Sequence, residues 1–250
     1  MTEPFGMLLK EWRTRRRVSQ LDLGLAANVS ARHISFLETG RANPSKAMVI
    51  QLSETLDVPR AARNSLLTAA GYAQAYKARS LDDPEMAFIT DAMNWMLTRH
   101  DPFPAFAFDR AWRFVRLNAC ATQLFGGFGI NVGDSMIDAL TEPGPGRDAI
   151  VNRDEVIRHL ILRLRTESAH LGGDDALDAA AQRLKAELGD RVCDTPGPMP
   201  AVTPVIYSAG AARFSFFSTI AQFGSTEDIA LAEMKIELMY PADEETRAFL

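Results

Sequence analysis

The stretch Ser19–Arg41, "SQLDLGLAANVSARHISFLETGR", holds two capped apolar repeats around an Asn-Val pair. Ser19 is placed to cap a helix whose apolar side is Leu21, Leu23, Ala26 and Ala27, and Asn28 tolerates the left-handed backbone that stops it. Ser30 opens a second helix in which Ile34 and Leu37 recur at helical spacing, with Gly40 just past its end. Gly24 falls where the first helix must pass close beneath the second. Leu23, Ala27, Val29, Ile34 and Leu37 can form the pocket between them, which is a helix-turn-helix arrangement.

Two such helices cannot bury a core alone. Upstream, "FGMLLKEWRTRRR" puts Leu8, Leu9 and Trp12 on one helical face, with Met7 at its edge; downstream, Met48, Val49, Leu52 and Leu56 repeat in a helix begun near Ser45, behind Pro44. "RAARNSLLTAAG" is a fifth helix ending at Gly71. Five short helices in about 70 residues make a small helical domain. This segment, from Phe5 to about Tyr72, resembles the Cro and xenobiotic-response-element type of helix-turn-helix domain. Ser19-Gln20, Val29-Ser30, Ile34-Ser35, Leu37-Glu38, Gly40-Arg41 and Pro44-Ser45 carry the resemblance.

A recognition helix reads major-groove edges from its N-terminal turns, so Ser30, Ala31, Arg32, His33, Ser35 and Phe36 are the candidate readers. Arg32 leads, because a guanidinium can grip guanine with two hydrogen bonds. Gln20 at a helix start and Arg41 and Asn43 in the following loop suit phosphate positioning. Arg13, Arg15, Arg16 and Arg17 form a second basic run, open to both phosphate contact and a solvated face. Glu38 facing DNA would be repelled, so it is expected to pair with an arginine or cap backbone inside the domain.

The net charge of −5 over 250 residues hides an asymmetry. Residues 1–80 hold 12 Lys+Arg against 6 Asp+Glu; the remainder holds 15 against 26. A basic N-terminal part points to a polyanionic partner for that part alone. No run approaches the roughly 20 apolar residues of a membrane span, and two cysteines, Cys120 and Cys193, make no disulfide framework. A soluble, cytoplasmic protein without membrane partners is expected.

"ARSLDDPEM" reads as a linker, dividing the chain into 1–78, a linker 79–84 and 85–250. An amphipathic helix follows with Met86, Ile89, Met93 and Met96/Leu97 inward. Phe106 and Phe108, then Trp112 and Phe114, alternate about an Asp109-Arg110 turn as a hairpin. Helices are predicted over about 118–125, 134–140, 153–170 and 174–188, the third with a Val156, Leu160, Leu164 stripe and the fourth with Leu177, Ala181, Leu184 and Leu188 inward. After the breaker-rich "DTPGPMPAVTP", strands are predicted over 205–208, 213–223 and 229–240, separated by Ala-Gly and Gly-Ser-Thr turns. Two strands, helices and three strands imply one antiparallel sheet, so the fold class is α+β.

"PAFAFDRAWRFVRLNACATQLFG", the long helix with "RLRTESAHL" and the closing strands make residues 85–250 similar to the PAS-like ligand-binding domain of MmyB-like transcription regulators, with 195–210 departing from the pattern. The resemblance implies a pocket for a small apolar, fatty-acid-like molecule. Phe106, Phe108, Trp112, Phe114, Phe125, Met136, Phe214 and Phe216 are its candidate lining, although aromatics on strands serve equally as core. His100, His159 and His170 lack a compact metal spacing, "GGFG" and "GPG" lack a phosphate-loop context, and no GxSxG occurs. Neither catalysis, metal nor cofactor is expected. The reading is a regulator that binds a double-stranded operator as a homodimer and senses a small ligand; the alternative is an enzyme or metabolite carrier tethered to DNA by its first domain.

Overall fold

The computed structural model describes residues 3–189, 191, 202–210, 212–224 and 228–249. Cys193, most of "DTPGPMPAVTP" and the Ser-Thr of the Gly-Ser-Thr turn lie outside them. The chain divides into two compact units, one made mainly of Met1–Ala78 and the other mainly of the chain from Arg79 on.

The first unit is five helices: α1 (Phe5–Arg15), α2 (Gln20–Ala26), α3 (Ala31–Glu38), α4 (Lys46–Thr55) and α5 (Arg60–Ala69). Serine hydroxyls start three of them, Ser19 accepting from the Asp22 amide, Ser30 from His33 and Ser45 from Met48, so each satisfies a backbone donor that a helix start leaves open. Ser19 and Asp22 complete a reciprocal capping box. Asn28 (φ 51°) and Gly40 (φ 71°) take the left-handed conformation where α2 and α3 stop.

Phe5, Leu9, Trp12, Leu23, Ala27, Ile34, Leu37, Val49, Leu52, Leu56, Leu66 and Leu67 are buried in one core. Two expectations shift. On α1 the buried face is Phe5, Leu9 and Trp12, at i, i+4 and i+7, whereas Met7 is exposed and Leu8 half-buried. Of the α2 stripe only Leu23, with Ala27 just past the helix end, turns inward, and Leu21, Ala26 and the neighbouring Leu25 face solvent, because the close crossing with α3 admits a narrow stripe. Gly24 is the reason that crossing exists: a Cβ there would lie 2.5 Å from the Val29 carbonyl oxygen. Gly6 does the same for α1 against α3, where a Cβ would lie 2.5 Å from the Leu37 carbonyl oxygen.

The second unit is built on one antiparallel sheet, strands β1 (Ala105–Phe108), β2 (Phe114–Leu117), β3 (Val205–Ala209), β4 (Ala212–Ala221) and β5 (Lys235–Pro241) in the order β2-β1-β5-β4-β3. Flanking helices are α6 (Ala87–Arg99), α7 (Ala119–Gly126), α8 (Met136–Thr141), α9 (Pro145–Asp148), α10 (Arg153–Leu171), α11 (Asp175–Leu188), α12 (Ile229–Ala232) and α13 (Glu244–Phe249). The sheet with its flanking helices makes the second half of an α+β protein. Asn118 joins β1 to α7: its side-chain oxygen accepts from the amides of Ala105 and Ala121, and its nitrogen donates to the Phe103 carbonyl.

One face of the sheet, Ala105, Ala107 and Ile236, packs with Met86, Met93 and Leu97, the inward stripe of α6 and the turn before it. The other carries Phe106, whose ring meets those of Phe108, Phe114 and Phe125 edge-on. Two strand expectations need correction here. Residues 229–232 are the helix α12, because Leu231 and Met234, three apart, both turn into the α6 cluster; β5 starts only at Lys235. Trp112 belongs to the turn (φ 59°) rather than to β2, its amide bonding the Asp109 carbonyl. On α10, Ile157, Leu160, Ile161 and Leu164 are buried and Val156 only half-buried.

Gly24→Ala and Gly6→Ala should each destabilise the full chain by about 1–3 kcal/mol, since backbone rather than a movable side chain meets the new methyl. Gly126→Ala, which meets nothing within 4 Å, should not. Urea unfolding of the three variants checks this, and equal midpoints would remove the close-approach argument.

Candidate nucleic-acid interface and ligand cavities

The orientation of α3 is set by a buried carboxylate. Glu38, at the end of α3 with a side chain only 2% exposed, accepts from Arg13 Nε at 2.6 Å and Nη2 at 3.0 Å, and from Gln20 Nε2 at 2.8 Å. Arg13 also donates to the Val18 carbonyl. Bonding to Glu38 raises the guanidinium's pKa above its ordinary value. A single acid thus ties α1 and α2 to α3. The structural role expected of Glu38 is what it performs, but the basic run of α1 is divided. Arg13 is held by Glu38, Arg16 donates to the Leu56 and Asp57 carbonyls, and Arg15 pairs with Glu11. Arg17 is exposed.

On α3, Arg32 is exposed and its guanidinium lies over the Phe36 ring, 5.2 Å from the centroid. Ala31, His33, Ser35 and Phe36 are half-buried, and the Ser30 hydroxyl caps the helix. Arg41 and Asn43 are exposed in the loop between α3 and α4. Gln20 sits in the first turn of α2, but its side-chain amide is spent on Glu38, which sequence spacing did not foresee.

Two hollows of the second unit adjoin the candidate aromatics. A groove of about 1080 Å³ is lined by Leu124, Phe128, Phe214, Phe216 and Phe249, with Cys120 at its wall. Burial and then Asp101 push the Cys120 thiol up, so it is not a poised nucleophile. A smaller cavity of about 210 Å³ lies against the sheet, bounded by Phe106, Trp112, Met136, Leu160, Tyr207 and Phe216. Of the candidate aromatics, Phe108, Phe114 and Phe125 line neither hollow and are core. The polar residues of the small cavity escaped the sequence reading: His159, Arg163, Thr203, Ser218 and Glu237 all reach it. Glu237 accepts from Ser218 Oγ at 2.6 Å and from Arg163 Nη1 at 3.3 Å. Burial and the Arg163 charge lower the His159 pKa against an opposing pull from Glu237, and burial with Glu237 raises that of Tyr207.

Residues 89–250 match the MmyB-like transcription regulator ligand binding domain, and residues 9–62 match a helix-turn-helix domain. The chain belongs to the MmyB-like transcription regulators. It therefore combines a helix-turn-helix domain with the ligand binding domain of that family. Over 74 residues it is 35% identical to the HTH-type transcriptional regulator RghRB of Bacillus subtilis (strain 168); the match covers 29% of this chain and spans about half (51%) of that relative. A solved PAS domain of Bordetella pertussis BvgS aligns with 65% of the regulator and 92% of its own chain, at 12% identity and a TM-score of 0.32. Among the described residues, no helix of the regulator is long and apolar enough to cross a membrane.

Because Arg13 is mostly buried, removing its carboxylate strands a charge. Glu38→Ala should cost about 3–5 kcal/mol, and Arg13→Met combined with Glu38→Leu distinctly less than the sum of the single changes. Urea unfolding of the cycle measures the coupling; strict additivity would show that the pair does not act as a unit.

Proposed function

We propose that this regulator binds a near-palindromic operator as a homodimer, each copy placing α3 in the major groove. Arg32 reads a base there, with Ser30, Ala31, His33, Ser35 and Phe36 beside it, and Gln20, Arg41 and Asn43 set the register on phosphates through backbone or remaining side-chain donors. The observation that carries this reading is the contrast among arginines. Arg13 and Arg16 are consumed by the fold, whereas Arg32 is exposed in the first turn of α3 and stacked on Phe36. A stacked guanidinium loses less freedom when it docks edge-on against a base. The domain boundaries follow the sequence reading, 1–78 for DNA and 85–250 for the ligand, with 79–84 between them, and the protein works in the cytoplasm.

A small apolar, fatty-acid-like effector suits the larger groove, whose volume reaches the upper end of ordinary ligand sites and whose walls are Leu124, Phe128, Phe214 and Phe249. The homodimer is supported by α6, whose outward side exposes Phe88 (85%) and Trp95 (64%), with Arg99 over the Trp95 ring. Residues 88 and 95, seven apart, form one stripe, and a second copy laid on it would cover both aromatics with itself.

Arg32→Ala should relax preference at one operator base pair, a loss of about 1–3 kcal/mol of discrimination, while Arg41→Ala weakens specific and random duplex alike. Equal losses on both duplexes for Arg32→Ala would take it out of base readout. For the dimer, sedimentation of the full chain with an operator whose half-sites lie about 34–36 Å apart should give two copies per duplex. Phe88→Glu with Trp95→Glu should reduce this to one. One wild-type copy per operator would refute the dimer. Operator titration with and without lipid extracted from the purified chain tests the effector, since a ligand shifts affinity only by its preference between states.

A further inference from the structure

The small cavity beside the sheet is unusual in what it leaves unbonded. Trp112 is 1% exposed, and among the described residues its indole Nε1–H meets no acceptor and Arg163 Nη2 and Thr203 Oγ1 are likewise buried without a partner. All three residues line the cavity. Such groups cost free energy when left dry and are rare in folded proteins, so three around one hollow call for an explanation. Each of them is a hydrogen-bond donor, and two can only donate. The missing ligand atom is therefore an acceptor.

The surroundings decide its charge. Arg163 stacks on the Trp112 ring at 4.4 Å from the centroid, so guanidinium and indole N–H share one neighbourhood. The acid in the cavity, Glu237, is already satisfied by Ser218 and by Arg163 Nη1. Lys235 lies over the same indole at 5.1 Å and is paired with Glu167 at 2.6 Å. Arg163 thus keeps its second nitrogen for something else. Trp112 holds a left-handed backbone, φ 59°, that is rare for a bulky residue, and its indole is buried against the cavity. The remaining wall is Phe106, Met136, Leu160 and Phe216.

We propose that this cavity is a binding site for a small monocarboxylate, aromatic or short-chain, whose carboxylate takes hydrogen bonds from Trp112 Nε1, Arg163 Nη2 and Thr203 Oγ1 while its hydrocarbon packs on the apolar wall. An apolar cavity of about 150 Å³ accepts a benzene ring. The 210 Å³ here takes a ring or a chain of similar size together with its carboxylate, and is too small for a long fatty chain. The site is separate from the larger groove. It rests on the reading of this half as an effector-binding domain only for its regulatory consequence, not for binding itself.

The test uses the full chain labelled with ¹⁵N at tryptophan, its Trp112 indole signal assigned by its loss in Trp112→Phe. Hexanoate and benzoate should move that signal saturably, whereas hexanamide and benzamide should bind at least about tenfold more weakly, because charge-assisted hydrogen bonds are roughly twice as strong as neutral ones. Thr203→Val keeps shape and removes one donor; it should weaken hexanoate about threefold to tenfold. Arg163→Gln should abolish the preference for acid over amide. An indole signal unmoved at saturating hexanoate and benzoate, or equal affinity for acid and amide in the wild type, overturns the proposal, and so does a Thr203→Val protein that binds as the wild type does. A moved indole signal with operator affinity unchanged upholds the site and counts instead against the effector reading. Laurate should leave the Trp112 signal unmoved, because the cavity is too small for a long chain; movement of Trp112 by laurate as large as that by hexanoate overturns the size argument.

Discussion

Strand β5 runs through the middle of the sheet with both faces covered, and that constraint shapes the ligand-binding half. Ile236 enters the apolar layer under α6, which leaves Lys235 and Glu237, 3% and 7% exposed, on the opposite side beneath α10. Two buried charges are tolerable only when bonded. Glu167 on α10 meets Lys235, and Arg163, one turn earlier, meets Glu237, so the ion pairs fix how the long helix lies over the sheet. The cavity is what remains between that helix and the strands where ion pairing, rather than close apolar packing, sets the spacing.

The DNA-binding half uses the same device to a different end. Glu38 accepts from two helices at once, and with Gly6 and Gly24 admitting close backbone approach, α3 has little freedom relative to α1 and α2. A helix that must present side chains to a groove gains from that rigidity, because docking then costs less ordering. It also separates the tasks of neighbouring residues: Ile34, Leu37 and Glu38 build, whereas Arg32, Arg41 and Asn43 stay outside.

How much of this the sequence discloses depends on how local the cause is. The helix-turn-helix was legible because its signals lie within a few residues of their effects: Ser19 and Ser30 cap their own helices, and Asn28 turns the chain between them. The hairpin and the order of elements in the second half were legible from alternation and breakers. Alternation misled at residues 229–240, since the Ala232, Met234, Ile236 alternation continues back from β5 into α12, where Leu231 and Met234 fit a helix equally well. Apart from Trp112, the cavity's polar lining was not legible. Trp112, Arg163, Thr203 and Glu237 are scattered over more than a hundred residues, and on a helix or strand alone Arg163 and Glu237 pass for solvated charges. Gln20 shows the same limit on a shorter scale: its position at a helix start suggested phosphate, and only the fold brings Glu38 to it.

The Arg13–Glu38 and Arg163–Glu237 pairs differ in one respect that separates framework from site. At Glu38 the donors and acceptors are matched, with Arg13 bonding through all three of its nitrogens and Gln20 taking the remaining capacity of the acid. No guanidinium nitrogen of Arg13 and no carboxylate oxygen of Glu38 lacks a partner, and the cluster holds helices together. At Glu237 the bookkeeping is uneven. The acid is satisfied while Arg163 Nη2 and the neighbouring Trp112 Nε1 are not, although both are shielded from water. A fold could have closed that gap with one more acceptor side chain, as it did around Arg13. Leaving donors unmatched beside an apolar hollow stores a desolvation cost that only an incoming acceptor relieves, so affinity at such a place comes from the fold's own unmet hydrogen bonds as well as from hydrocarbon burial.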